Sequence, residues 1–132
     1  MAGYSSTPLL KKLGIKSEMK VLLMNTPEQY FDWIEADISD QVVKSGAKAD
    51  LVHLFVTNKK DLEKHFASLI KQLIPKAVIW ISWYKKSSGI ATDVTEDVIR
   101  EIVLSTGWVD VKVCAVSEQW SGLKVVKRKE LR

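Results

Sequence analysis

The chain has 132 residues, 46% of them hydrophobic and 27% charged, with a formal net charge of +4. That length fits one domain able to bury roughly two thirds of its unfolded surface, the mild charge singles out no polyanionic partner, and no apolar run reaches the ~18 residues of a membrane span. A single cysteine, Cys114, excludes an internal disulfide and a cysteine-based zinc cage, and the absence of a basic-then-apolar leader at residues 1–6 gives a reducing, cytoplasmic compartment as the expectation.

Thr7 as cap, Pro8 at the first helical position and Gly14 at the left-handed C′ position mark a short helix over residues 7–14. Lys20-Val21-Leu22-Leu23-Met24 is the first strand. After it, Thr26-Pro27-Glu28-Gln29 reads as a capping box with proline at N1, opening a helix through Tyr30, Phe31, Trp33 and Ile34. A weak strand follows at Gln41-Val42-Val43, and the apolar residues 50–56 suit a parallel strand buried on both faces. Asn58 caps a helix in which Leu62, Phe66, Leu69, Ile70, Leu73 and Ile74 keep helical spacing until Pro75 stops it. Residues 77–83 form another buried strand, on which Trp80 and Trp83, three apart, face opposite sides and pack helices.

A polar loop, residues 84–92, leads to a helix with Asp93 as cap and Glu96 as its partner. Val98, Ile99, Ile102 and Val103 stripe this helix, which ends at Gly107. Two strands, 109–116 and 123–127, joined through residues 117–122, close the chain. In the first of them Val109, Val111, Val113 and Ala115 alternate with Asp110, Lys112 and Cys114, so one face is expected to be less buried. Strands alternating with helices give a parallel sheet with right-handed crossovers. The expected fold is α/β, a single domain over residues 1–132 with three Rossmann-like layers. Its mainly parallel sheet carries a C-terminal antiparallel hairpin, the order of a shortened class I methyltransferase domain.

The first strand's turn departs from that frame. Nucleotide-binding sheets place glycines there, so that backbone N–H groups approach a pyrophosphate at the helix N-terminus. Here Asn25-Thr26-Pro27-Glu28 deletes one N–H and adds a negative charge. Any site belongs beyond the carboxyl ends of the strands, where the topology gathers Asn25 and Thr26, residues 57–59, the loop 85–92 and the turn 118–121. In the loop, Lys85, Lys86, Ser87, Ser88 and Gly89 offer cations, hydroxyls and a flexible glycine to an anion, or else form a solvated loop; this is not a P-loop. Trp120, unusual in a tight turn, either folds onto the core or presents a stacking surface beside Ser121.

The remaining candidates read as structural. His53, mid-strand, is expected to be a hydrogen-bonded core residue, and His65 a surface partner of Asp61 four positions earlier. Cys114, with Lys112 the nearest base in sequence, reads as an inert small residue, with a redox-sensitive thiol as the alternative. Ser87 and Ser88 lack a nucleophile elbow. The basic end (Lys124, Lys127, Arg128, Lys129, Arg132) has no interleaved aromatic residues, so it reads as solvated and nucleic acid is not the expected partner.

Three stretches resemble one family. Ala2-Gly3-Tyr4-Ser5-Ser6-Thr7-Pro8-Leu9 with Lys11-Lys12-Leu13-Gly14-Ile15-Lys16 is the first, and residues 85–98, from Lys85-Lys86-Ser87-Ser88-Gly89 through Asp97-Val98, are the second. The third is Val111-Lys112-Val113-Cys114-Ala115-Val116 with Trp120-Ser121-Gly122-Leu123-Lys124. Together they resemble the bacterial domain-of-unknown-function family 3052. The resemblance implies a small cytoplasmic Rossmann-like protein with no established activity. Some members look like redox regulators using a second cysteine, which this chain lacks. The sequence thus points to a non-enzymatic regulatory or protein-interaction domain, with no cofactor and no membrane contact. Its alternative is a protein that binds a small anionic or nucleoside ligand such as S-adenosylmethionine, or a methyltransferase relative.

Overall fold

The computed structural model describes residues 8–132. Helix α1 (Leu9–Leu13) ends on Gly14, whose φ of 75° lets its N–H turn back toward the Leu10 and Lys11 carbonyls. Pro8 stands one position ahead of the first helical residue, and the expected Thr7 cap lies outside the described residues. Six strands follow: β1 (Val21–Met24), β2 (Val42–Val43), β3 (Leu51–Phe55), β4 (Val78–Tyr84), β5 (Trp108–Ala115) and β6 (Trp120–Lys127). They form one sheet in the order β2-β1-β3-β4-β6-β5. The first four run parallel, and β6 is antiparallel to both β4 and β5, one strand in from the edge. Every residue of β3 is buried, as its apolar run requires.

Helices cover both faces, giving three layers. α3 (Lys59–Gln72) and α4 (Glu96–Leu104) bring Leu62, Phe66, Ile99 and Val103 to one face, with Trp83 in that core. α1 and α2 (Tyr30–Ile34) bring Leu13, Tyr30 and Ile34 to the other, with Trp80. The two tryptophans therefore divide between the faces, as their odd spacing demands. The Trp80 indole N–H donates to the Leu13 carbonyl over 2.9 Å and so fastens α1 to the sheet.

Local capping differs from the sequence expectation in two places. The Thr26–Gln29 capping box does not form. α2 starts only at Tyr30, Gln29 precedes it without a side-chain cap bond, and the Tyr30 N–H is taken by the Pro27 carbonyl in a tight turn at 3.0 Å. Asp93 does not cap its own helix either. Thr95 does, its hydroxyl accepting from the Val98 N–H, while an Asp93 oxygen accepts from the Lys59 N–H at 2.7 Å, at the first turn of α3. The Thr92 hydroxyl donates to the Thr57 carbonyl at 2.7 Å and completes this strap. Asn58 caps α3 as expected, accepting from the Asp61 N–H at 2.8 Å. Thr95→Ala is expected to cost about 1 kcal/mol in a urea titration, with no compensation from Asp93.

Two element boundaries and one burial pattern also change. α3 ends at Gln72, so Ile74 falls beyond it and is exposed. β6 begins at Trp120, which shortens the hairpin connection. On β5 burial does not alternate as expected: Val111, Lys112 and Val113 are exposed in succession, the two valines at 51% and 43%. The register shifts between Asp110 and Lys112, and β5 is the sheet edge, beyond which no strand continues the core.

Candidate ligand cleft at the carboxyl ends of the strands

The chain leaves β1 for β2 on one side and returns to β3 on the other, so the sheet order reverses between β1 and β3. Open α/β sheets bind ligands at such a point, beyond the strand ends. A cleft of ≈ 390 Å³ opens there. Asn25 and Pro27 line it from β1, Phe55, Val56 and Thr57 from β3, Asp61 and His65 from α3, and Tyr84 and Trp120 from β4 and β6. A second cleft, ≈ 520 Å³, shares Pro27, Tyr84 and Trp120 and adds Gln29 and Trp33 from the α2 side and Ser117, Glu118 and Gln119 from the hairpin turn. A larger depression beside Phe31 and Asp32 lies on the outer surface of α2 and touches neither.

The corner after β1 has one residue in the left-handed conformation but lacks the glycines and amide donors of a nucleotide-binding turn. Asn25 has φ 57°, the left-handed conformation that glycine takes at little cost and asparagine tolerates. Its Nδ2 points to the Phe55 carbonyl at 3.5 Å. Pro27 has no N–H, Glu28 is exposed, and α2 spans five residues and begins three positions later. An anion arriving here finds Pro27 in the wall and no fan of amides, while Glu28 lies exposed outside the lining.

Aromatic residues form the cleft wall. Trp120 is buried and stacks on Tyr84 with ring centroids 4.0 Å apart, and it meets Phe55 edge-on at 4.9 Å. Of the two sequence alternatives for Trp120, the structure shows the inward one, with the residue also bordering both clefts. Beneath, Phe55 stacks on His53 at 4.5 Å. The His53 Nδ1 meets the Tyr30 hydroxyl at 2.8 Å and its Nε2 meets the Ser82 hydroxyl at 2.7 Å. All three side chains are fully buried, so this chain is out of reach of a ligand. A neutral ring has one donor and one acceptor, and a hydroxyl serves as either, so both tautomers satisfy the chain. Burial holds the imidazole neutral, with its pKa pushed down to about 3, and pushes the tyrosine up. His53 is the hydrogen-bonded core residue that its strand position suggested.

The structure gathers only part of the expected rim. Asn25, Thr57 and Trp120 meet in the first cleft. Thr26 is half-buried and lines neither cleft. The Lys85 N–H donates to the Gln119 carbonyl at 2.8 Å, tying the loop to the hairpin. Lys86, Ser87 and Ser88 form a 3-10 turn closed by Gly89 at φ 74°. The Ser88 hydroxyl is engaged within that loop, donating to the Lys85 carbonyl and accepting from the Ile90 N–H. None of residues 85–89 lines the clefts. Ser121 alternates to the face opposite Trp120, across from Trp83.

His65 and Asp61 form no ion pair among the described residues. The Asp61 carboxylate instead takes the Asn58 amide at 3.1 Å, and both side chains border the cleft. The Cys114 thiol is pushed up by burial, against the opposing pull of the Lys12 and Lys112 ammoniums. Among the described residues no three His, Cys, Asp or Glu side chains gather to hold a metal ion, and no helix is long and apolar enough to cross a membrane. Lining residues that the sequence did not place at the site include Tyr84, Gln29 and Trp33, and also Phe55, Asp61 and His65. Tyr84 carried a usable signal as the last residue of a strand entering the rim, whereas Gln29 and Trp33 reach it only through the late start of α2.

No family model matches the chain, and no curated protein matches it. Solved structures do. A protein of the NADB-Rossmann superfamily from Streptococcus agalactiae is similar at TM-score 0.60 and 10% identity, over 96% of this chain and 71% of that one. A ribosomal protein L11 methylase from Lactobacillus delbrueckii subsp. bulgaricus matches at 0.58 and 12%, over 91% and 75%. A SAM-dependent methyltransferase from Aquifex aeolicus matches at 0.58 and 17%, over 89% and 86%. At these identities the likeness shows the fold, a Rossmann-like sheet of the methyltransferase type.

Proposed function

We propose that this chain is a methyltransferase relative that binds a phosphate-free nucleoside ligand of the S-adenosylmethionine type in the cleft between the ends of β1 and β3. The observation that carries this reading is the position of the ≈ 390 Å³ cleft at the point where the strand order reverses, bordered by a corner built against phosphate. Asn25 and Thr57 would supply hydrogen-bonding groups, Tyr84 and Trp120 aromatic surface, and Asp61 a negative charge suited to a cationic ligand. A carboxylate at the end of β2 is missing, because Val43 runs into Lys44 and Ser45, so ribose would depend on the β1 and β3 ends. Bound there, such a ligand supplies an activated methyl group. This chain's residues bind and orient it, and no general acid or base is assigned.

The structural neighbours lend weight to this alternative over a protein-interaction role. The family that the motifs resemble, which we take as the chain's own, has no established activity that competes with it. The test is calorimetry and thermal shift with S-adenosylmethionine, S-adenosylhomocysteine, NAD and ATP. The two adenosyl compounds are expected to stabilise the fold by about 2.7 kcal/mol at ~100 Kd, and Thr57→Val to weaken them ~5-fold through one lost hydrogen bond. Tighter binding of NAD or ATP would overturn the reading, and silence across the panel would return the interaction role to first place.

A further inference from the structure

We infer that the second cleft, on the Trp33 and Glu118 side of the Tyr84–Trp120 stack, is a separate site for an alkylated ammonium cation. Its lining joins three aromatic side chains, Trp33, Tyr84 and Trp120, to the carboxylate of Glu118 in ≈ 520 Å³. An ammonium group is attracted to the face of an aromatic ring, and a nearby carboxylate adds to the attraction. No lysine or arginine is among the lining residues, so no side chain of the wall supplies the charge that the rings and carboxylate would hold. Glu118 is exposed and makes no ion pair or side-chain hydrogen bond among the described residues. The same features disfavour an anion.

Hydrogen bonds and ring contacts tie the frame around this cleft together, which lowers the ordering cost of binding. The Ser117 hydroxyl, itself buried, accepts from the N–H groups of Gln119 and Trp120 at 3.3 and 3.2 Å and locks the turn that carries Glu118. The Gln119 carbonyl takes the Lys85 N–H and ties that turn to the end of β4, where Tyr84 stands. Trp120 covers one face of Tyr84 at 4.0 Å. Trp33 leans on Phe55 with centroids 6.5 Å apart and so joins the same aromatic cluster.

This inference does not depend on the nucleoside reading. Trp33 and Glu118 line only the second cleft, and Thr57 lines only the first. The probes are choline and its uncharged isostere 3,3-dimethyl-1-butanol, titrated against the full chain and followed by tryptophan fluorescence and by the indole N–H resonances. Choline is expected to bind saturably and ~10-fold more tightly than the isostere, the size of a partly desolvated cation–ring contact. Trp33→Leu is expected to weaken choline ~10-fold, and Glu118→Gln to weaken it ~3-fold while reducing its salt dependence. Glu118 lies on an exposed turn, so the glutamine variant decides the matter even if Trp33→Leu disturbs folding. Equal binding of the isostere, choline binding unmoved by Glu118→Gln, or no saturable choline binding would each overturn the inference.

Discussion

Trp80→Ala is expected to lose about 3–5 kcal/mol of stability, measured as a drop in the urea midpoint at constant slope. The indole is completely buried in the core beneath α1 and α2, so its removal opens a cavity that the sheet cannot close. Close packing around it extends to β6, where a Cβ at Gly122 would stand 3.2 Å from the ring and 3.0 Å from Val116. The substitution also removes the donor to the Leu13 carbonyl. Trp80→Phe separates these effects: it keeps most of the apolar area and orphans the carbonyl, a cost of about 1–3 kcal/mol. A loss under ~1 kcal/mol for the alanine variant would contradict the buried, cavity-forming role assigned to this residue.

The second large effect is acid sensitivity centred on His53. Its pKa falls from 6.5 to about 3 because burial opposes the charged ring. The unfolded chain therefore takes up a proton first, and stability drops as pH falls below 6.5, by about 1.4 kcal/mol per pH unit, until the folded pKa is reached. Over the whole window the loss is roughly 4–5 kcal/mol. Carboxylates held down in the fold, such as Asp110 beside Arg100, add their losses only below their ordinary 3.8. Decline between pH 6.5 and 4 thus isolates the histidine. Urea titrations across that range should slope steeply for the native chain, and His53→Gln should flatten the slope from a lower starting stability. An unchanged slope in the variant would show that His53 is not the group responsible. Tyr30, pushed up from 10.0, acts in the other direction and withdraws its contribution only as pH rises past that value.

The candidate site was legible wherever a strand end was legible. Asn25, Thr57 and Trp120 stand at or beside the ends of β1, β3 and the start of β6, and the apolar runs that place those ends are visible in the chain. The loop 85–89 was expected on the same rim because it follows β4, yet its Ser88 bonds to its own backbone and its cations lie outside both clefts. The loop's own hydrogen bonds, rather than residue chemistry, decided this, and a loop's path is set by contacts distant in sequence such as Gln119 to Lys85.

Periodicity and punctuation in the chain alone determined the alternation of strands and helices, the buried parallel strands, the Asn58 cap, the division of Trp80 and Trp83 between faces, and the core role of His53. These follow from spacing within one element, which local backbone geometry dictates. Only the tertiary structure decided which helix Asp93 would cap, that Thr26–Gln29 would turn without capping, and that the middle of β5 would be exposed on both faces. The reason is common to the first and the last. A carboxylate bonds whichever orphan N–H comes within reach, and a strand's buried face depends on what packs beyond it, so both outcomes are set by neighbours tens of residues away.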